Sequence, residues 1–137
     1  MKPATNSPSF SLFELNEHLK RVIAFNMRET LWVRCEIADV GSSKGSVYLS
    51  LVERNDFKVS ARAEAVIWGR VVDELQQRIG DSLWSILQAG RQILALVQVE
   101  FHEYFGMKLS IKDIDPSVTI GQLELQRAQT LKKLTEE

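Results

Sequence analysis

Residues 45–68 read GSVYLSLVERNDFKVSARAEAVIW, and their pattern decides the fold. Val47, Leu49 and Leu51 share one parity, with Ser46, Tyr48 and Ser50 on the other. After the polar connection ERNDF the alternation resumes. Val59, Ala61, Ala63, Ala65 and Ile67 interleave with Lys58, Ser60, Arg62 and Glu64. A period of two sends successive side chains to opposite faces of a pleated strand, so the stretch is two half-buried strands joined as a hairpin. One face is a core. The other carries a tyrosine and two basic residues, which a core does not explain.

Upstream, LWVRCEIADV (31–40) has the same period. Leu31, Val33, Cys35 and Ile37 point one way; Trp32, Arg34 and Glu36 point the other. GSSKG (41–45) is a loop by composition. SLFELNEHLKRVIAFN (11–26) changes to helical spacing, with Leu12, Leu15, Leu19, Val22 and Ile23 on one face and Glu17, Lys20 and Arg21 opposite. Ser11 and Glu14 have the spacing of a capping box. The helix is expected to end near Phe25–Met27. Residues 1–9, with two prolines and little to bury, are expected to be a disordered tail.

Downstream, VVDELQQRIGDSLWSILQ (71–88) is helical, with Val71, Val72, Leu75, Ile79, Leu83, Ile86 and Leu87 on a broad apolar face. Gly80 inside it predicts a kink or a break. RQILALVQVEF (91–101) and MKLSIKDI (107–114) are a fourth and a fifth strand, joined by the turn HEYFG (102–106). Asp115-Pro116 ends the sheet. Thr119 and Gln122 repeat the capping-box spacing at the start of a polar final helix.

The order is helix, three strands, helix, two strands, helix. A mainly β chain of five short strands, with a helix between the third and fourth and flanking helices at both ends, has the plan of the OB-fold, a five-stranded Greek-key barrel. Closure gives the inward residues one core and removes most free edges. The domain is expected over residues 10–116, with 117–137 beginning a helical connection. The outward residues Trp32, Arg34, Tyr48, Ser50, Lys58, Ser60 and Arg62 are expected to form a single surface.

The chain has 137 residues, enough for one domain with a real core. No apolar run approaches the ~20 residues that span a bilayer, and the N-terminus lacks the apolar region of a signal peptide. A single cysteine excludes an internal disulfide framework, which points to a cytoplasmic chain with a core thiol. The formal charge of −1 is not that of a free-standing nucleic-acid binder, which is usually basic.

Aromatic residues among arginine and lysine suit single-stranded nucleic acid, since bases stack on rings while cations hold phosphates. The same pattern also describes a solvated sheet face stabilised by cross-strand pairs. Glu36 and Glu64 repel phosphate, and pairing with Arg34 and Arg62 would neutralise them. His102, Tyr104, Phe105 and Lys108 are candidate contacts from the loop between strands four and five; a hairpin turn with its aromatics folded back is the alternative. Lys44 is a further loop candidate. Neither His18 nor His102 belongs to a metal-ligand cluster, Cys35 faces inward, and no glycine-rich phosphate loop occurs. No catalytic constellation, cofactor or metal site is expected here.

Several stretches together resemble the large-subunit family of exodeoxyribonuclease VII: FSLFELNEHLK, LWVRCEIADV, KGSVYLSLVE, ARAEAVIW and VEFHEYFGMKLSIKDIDPSVTIGQLELQR. The resemblance runs from Phe10 to the C-terminus. It implies an OB-type domain that guides single-stranded DNA to a nuclease site further along the large subunit. The parent enzyme would hydrolyse phosphodiesters, with the rest of that subunit and the small subunit as partners and no membrane. With Ser46 added at the family's position, the DNA contacts expected from the outward face and the loops are Trp32, Arg34, Lys44, Ser46, Tyr48, Ser50, Lys58, Arg62, His102, Tyr104 and Lys108. The chain departs from the family pattern at Ser46, where histidine is usual, and in the longer segment 69–90. That segment is expected to plug the barrel, with Trp68 and Trp84 in core packing or at an interface. The alternatives are a docking barrel that binds no DNA, an RNA-binding OB module, and a free-standing enzyme.

Overall fold

The computed structural model describes residues 9–135, and side chains from 9 to 129. The expected tail, residues 1–9, lies almost wholly outside the described residues. The elements are α1 (Leu12–Asn26), β1 (Leu31–Ser43), β2 (Ser46–Asn55), β3 (Lys58–Ile67), α2 (Gly69–Ile79), α3 (Ser82–Ile86), β4 (Gln92–His102), β5 (Gly106–Asp115) and α4 (Pro116–Thr135). The five strands close in the order β1-β2-β3-β5-β4, with β3 and β5 parallel and every other pair antiparallel. This is the OB-fold barrel expected from the period changes.

The inward parity is confirmed around the ring. Leu49 stands opposite Ala65, Ala65 opposite Leu109, and Leu109 opposite Val99. Ile37, Ile67, Ile93 and Ile111 are fully enclosed in the same cluster. Val71, Val72 and Leu75 of α2, Leu83 and Ile86 of α3, and Leu87 join it, so the segment between β3 and β4 completes the barrel core. Burying each such side chain contributes about 1.5–3 kcal/mol. The break between α2 and α3 falls at Gly80, whose φ of 80° suits a residue without Cβ.

Five expectations need correction. GSSKG is not all loop: β1 runs to Ser43, and only Lys44 and Gly45 make the turn. The β2–β3 hairpin extends past the core, so Val59 and Ala61 are exposed despite their inward parity. The apolar row of α1 is not buried; α1 rests on β4 and the following turn, where Asn16 Nδ2 donates to the Glu103 carbonyl at 3.1 Å and Lys20 pairs with Glu103 at 3.2 Å. The Ser11 half of its capping box forms, with the Glu14 N–H donating to Ser11 Oγ at 3.1 Å.

The capping assignment for α4 shifts. Asp115 precedes the helix, accepts from the Ser117 hydroxyl at 2.7 Å and the Ser117 N–H at 3.0 Å, and Pro116 opens the first turn. These bonds hold the Asp115 carboxyl below the usual carboxylate range. Thr119 and Gln122 lie inside the helix and tie it to the barrel. The Thr119 hydroxyl donates to the Gln92 carbonyl, and the Gln92 N–H donates to Gln122 Oε1 at 2.8 Å. Lastly, Trp68 and Trp84 are both about half exposed, not core.

Candidate nucleic-acid interface

The outer face is divided where one surface is expected. β1 changes partner along its length: residues 31–36 pair with β4, and 36–43 pair with β2, with an irregularity between Ile37 and Asp39. Trp32 therefore stands opposite Leu96 of β4, while Tyr48 stands opposite Gly41 and Val66. A bulge kinks and twists a strand, and in a small barrel that turns the two halves of β1 toward different sides.

Around Tyr48 the structure assembles an aromatic and cationic cluster. Tyr48 is 38% exposed and Trp68 is 45% exposed. Their rings meet edge to face with centroids 6.5 Å apart. Lys108 of β5 places Nζ 5.3 Å from the centre of the Tyr48 ring. Lys108 lies at the start of the strand, beside the β4–β5 turn, and reaches the Tyr48 platform from there. The sequence signal for Trp68 is its position just past the alternating run, between β3 and α2, where the chain leaves the barrel wall.

Beside this platform is a groove of about 490 Å³ between α1, β4 and the β4–β5 turn. Trp68 and Lys108 line it, as do His102 and Phe105. His102 Nδ1 accepts from the N–H groups of Tyr104 (3.0 Å) and Phe105 (3.3 Å), so it shapes the turn. Phe105 packs on His102 and against Tyr104, with centroids 5.0 and 4.9 Å apart, and both Tyr104 and Phe105 remain exposed. The carboxyl of Glu103 is held below its ordinary range by its own backbone N–H and then by Lys20.

The remaining candidates fall elsewhere. Arg34 and Arg62 line a separate cleft of about 140 Å³. The expected glutamate pairings are replaced: Glu36 pairs with Arg54 at 3.1 Å, and Glu64 accepts from Ser50 Oγ at 3.1 and 3.2 Å. Ser50 is thus engaged within the sheet. Ser46 is withdrawn from the outer surface: it is 8% exposed and accepts the Gly69 N–H at 3.0 Å. That bond ties the β1–β2 turn to the start of α2. Ser60 donates to the Glu53 carbonyl at 3.1 Å. Lys58 stands opposite Asn55 near the hairpin tip, and Lys44 is exposed in the β1–β2 turn at φ 53°.

Burial pushes the Cys35 thiol from 9.0 up to about 11, which keeps it protonated and unreactive. Among the described residues, no three His, Cys, Asp or Glu side chains converge as a metal-holding set, and no helix is long and apolar enough to cross a membrane.

The chain is similar to the exodeoxyribonuclease 7 large subunit of Deinococcus radiodurans, with 30% identity over 86% of this chain and 30% of that protein. It is 31% identical to the exodeoxyribonuclease 7 large subunits of Thermotoga petrophila and Thermotoga maritima, over 94% of this chain and 29% of each. The chain thus spans under a third of the length of these curated relatives. Among solved structures, the mitochondrial single-stranded DNA binding protein Rim1 of S. cerevisiae aligns with a TM-score of 0.42 and 14% identity, covering 64% of this chain and 90% of that one. A family model described as an OB-fold nucleic acid binding domain matches residues 10–115, and the chain belongs to that family.

Proposed function

We propose that this barrel binds single-stranded DNA and guides it to a nuclease site outside these 137 residues, as the DNA-binding domain of an exodeoxyribonuclease VII large subunit. The observation that carries the reading is the exposed Tyr48–Trp68 pair with the Lys108 ammonium over the tyrosine ring. Every base has a face that can stack on such rings, at about 1–3 kcal/mol per base, and the ammonium meets the adjoining phosphate. The exposed Tyr104 extends the aromatic surface. No side chain here is assigned a catalytic role, and the remainder of the large subunit and the small subunit are partners beyond these residues.

Fluorescence anisotropy of a labelled oligo-dT tests the reading. Binding is expected to weaken with salt. Tyr48→Ala and Trp68→Ala are each expected to lower affinity about fivefold or more, the loss of one stacked base. Unchanged affinity in both variants would sink the proposal.

A second reading is favoured by α1, whose Leu12, Phe13, Leu15 and Phe25 are exposed. The barrel would dock through them and bind no DNA. A folded chain that fails to bind oligo-dT at any salt concentration would select this reading.

A further inference from the structure

The outer platform leaves the groove under α1 without a role. Its volume of about 490 Å³ is that of a small-ligand site. Trp68 and Phe105 give it aromatic walls, Ala24 of α1 an apolar one, and Lys20, Arg28 and Lys108 add cations. We propose that this groove receives one unstacked nucleobase from the strand held on the outer face, with the cations against its flanking phosphates. The inference rests on the single-stranded DNA reading above.

The groove is continuous with the platform. Trp68 and Lys108 belong to both places: each contacts Tyr48, and each lines the groove. A strand stacked at Tyr48 therefore reaches the groove without crossing other surface. The charges at the groove are fixed in advance. Arg28 has its guanidinium 4.6 Å from the Phe25 ring and Lys20 is shared with Glu103, so both cations are placed by neighbours before any ligand arrives. Glu100 also lines the groove, opposite Lys108 in the β4–β5 ladder. A carboxylate repels phosphate but accepts from a base N–H. The base accordingly goes inward and the phosphates stay outside. The walls match the ligand, because aromatic faces with adjacent cations are what an unstacked base requires.

The test uses the full chain and a labelled single strand of about 12 nucleotides, within the site sizes of OB domains. Ala24→Phe fills the groove from α1 and leaves the platform intact. Phe105→Ala removes the opposite wall; that ring is 73% exposed, so its loss takes nothing from the core. Each is expected to weaken binding about tenfold at an unchanged melting temperature. A strand carrying 2-aminopurine is expected to lose fluorescence on binding the parent chain and to lose less with either variant. If both variants bind like the parent while Tyr48→Ala binds worse, the groove inference is overturned and the outer-face reading stands. If the folded parent chain does not bind, the underlying reading has failed and the groove falls with it. Should Ala24→Phe lower the melting temperature, Phe105→Ala alone decides.

Discussion

At the tip of the β2–β3 hairpin, Asp56 and Phe57 have φ of 51° and 67°. A two-residue hairpin turn with both central residues at positive φ ordinarily places glycine second. Phe57 holds that position with its ring 98% exposed, so no packing offsets the strain. Phe57→Gly is expected to stabilise the domain by about 1 kcal/mol, the usual penalty of this conformation for a residue with Cβ, partly reduced by the flexibility glycine adds to the unfolded chain. Urea unfolding checks it; an equal or lower midpoint would contradict the argument. Cys35 gives a second expectation. Below about pH 9 the thiol is protonated in both folded and unfolded chains. Above that, the unfolded thiol ionises while the folded one does not, so stability falls as pH rises from about 9 to about 11. Cys35→Ser is expected to remove this component of the pH dependence. Rapid labelling of Cys35 in the native protein at pH 8 would show that the thiol is not enclosed.

Among the elements, α4 is held by side-chain bonds to the start of β4. The Thr119 hydroxyl is enclosed and donates to the Gln92 carbonyl, and Gln122 accepts from the Gln92 N–H. Thr119→Val keeps the shape and leaves that carbonyl without its donor, at an expected cost of about 1–3 kcal/mol. Thermal unfolding measures it, and faster amide exchange is expected in α4 than in the barrel. No loss of stability would mean that packing, not this bond, seats the helix. The capping pattern of Thr119 and Gln122 was legible in sequence, but a helix start and a helix anchor use the same residue types. Only the position of β4 separates them. In α1 the local signals were right about the helix and its cap, and silent about what its apolar row meets.

For the whole molecule, a net charge of −1 makes the placement of charge matter more than its sum. Arg34 and Arg62 come from different strands to one cleft, and Lys108 sits at the aromatic platform. If all of them meet phosphate, each substitution by alanine lowers the slope of log affinity against log salt by about one. Tyr48→Ala should instead lower affinity and leave the slope unchanged. A slope unmoved by Arg34→Ala and Arg62→Ala would confine the DNA path to the Tyr48 side. The closed barrel is what allows such a division, because one strand can present its two halves to different sides of the molecule.

The alternation in 45–68 and its neighbours determined the strands, their inward parity and the barrel, since the two-residue period is a property of the backbone itself. Gly80 marked the helix break for an equally local reason. The outer face was decided by tertiary structure. Ser46 shares parity with Tyr48, yet one is covered by the start of α2 and the other is open. Trp32 and Tyr48 both face outward, yet the partner change along β1 separates them. Trp68 and Lys108 lie far apart in the chain and meet at Tyr48 because the barrel closes. Local sequence sets which way a side chain points from its strand. Where that direction leads depends on register, bulges and closure, which are contacts between distant residues.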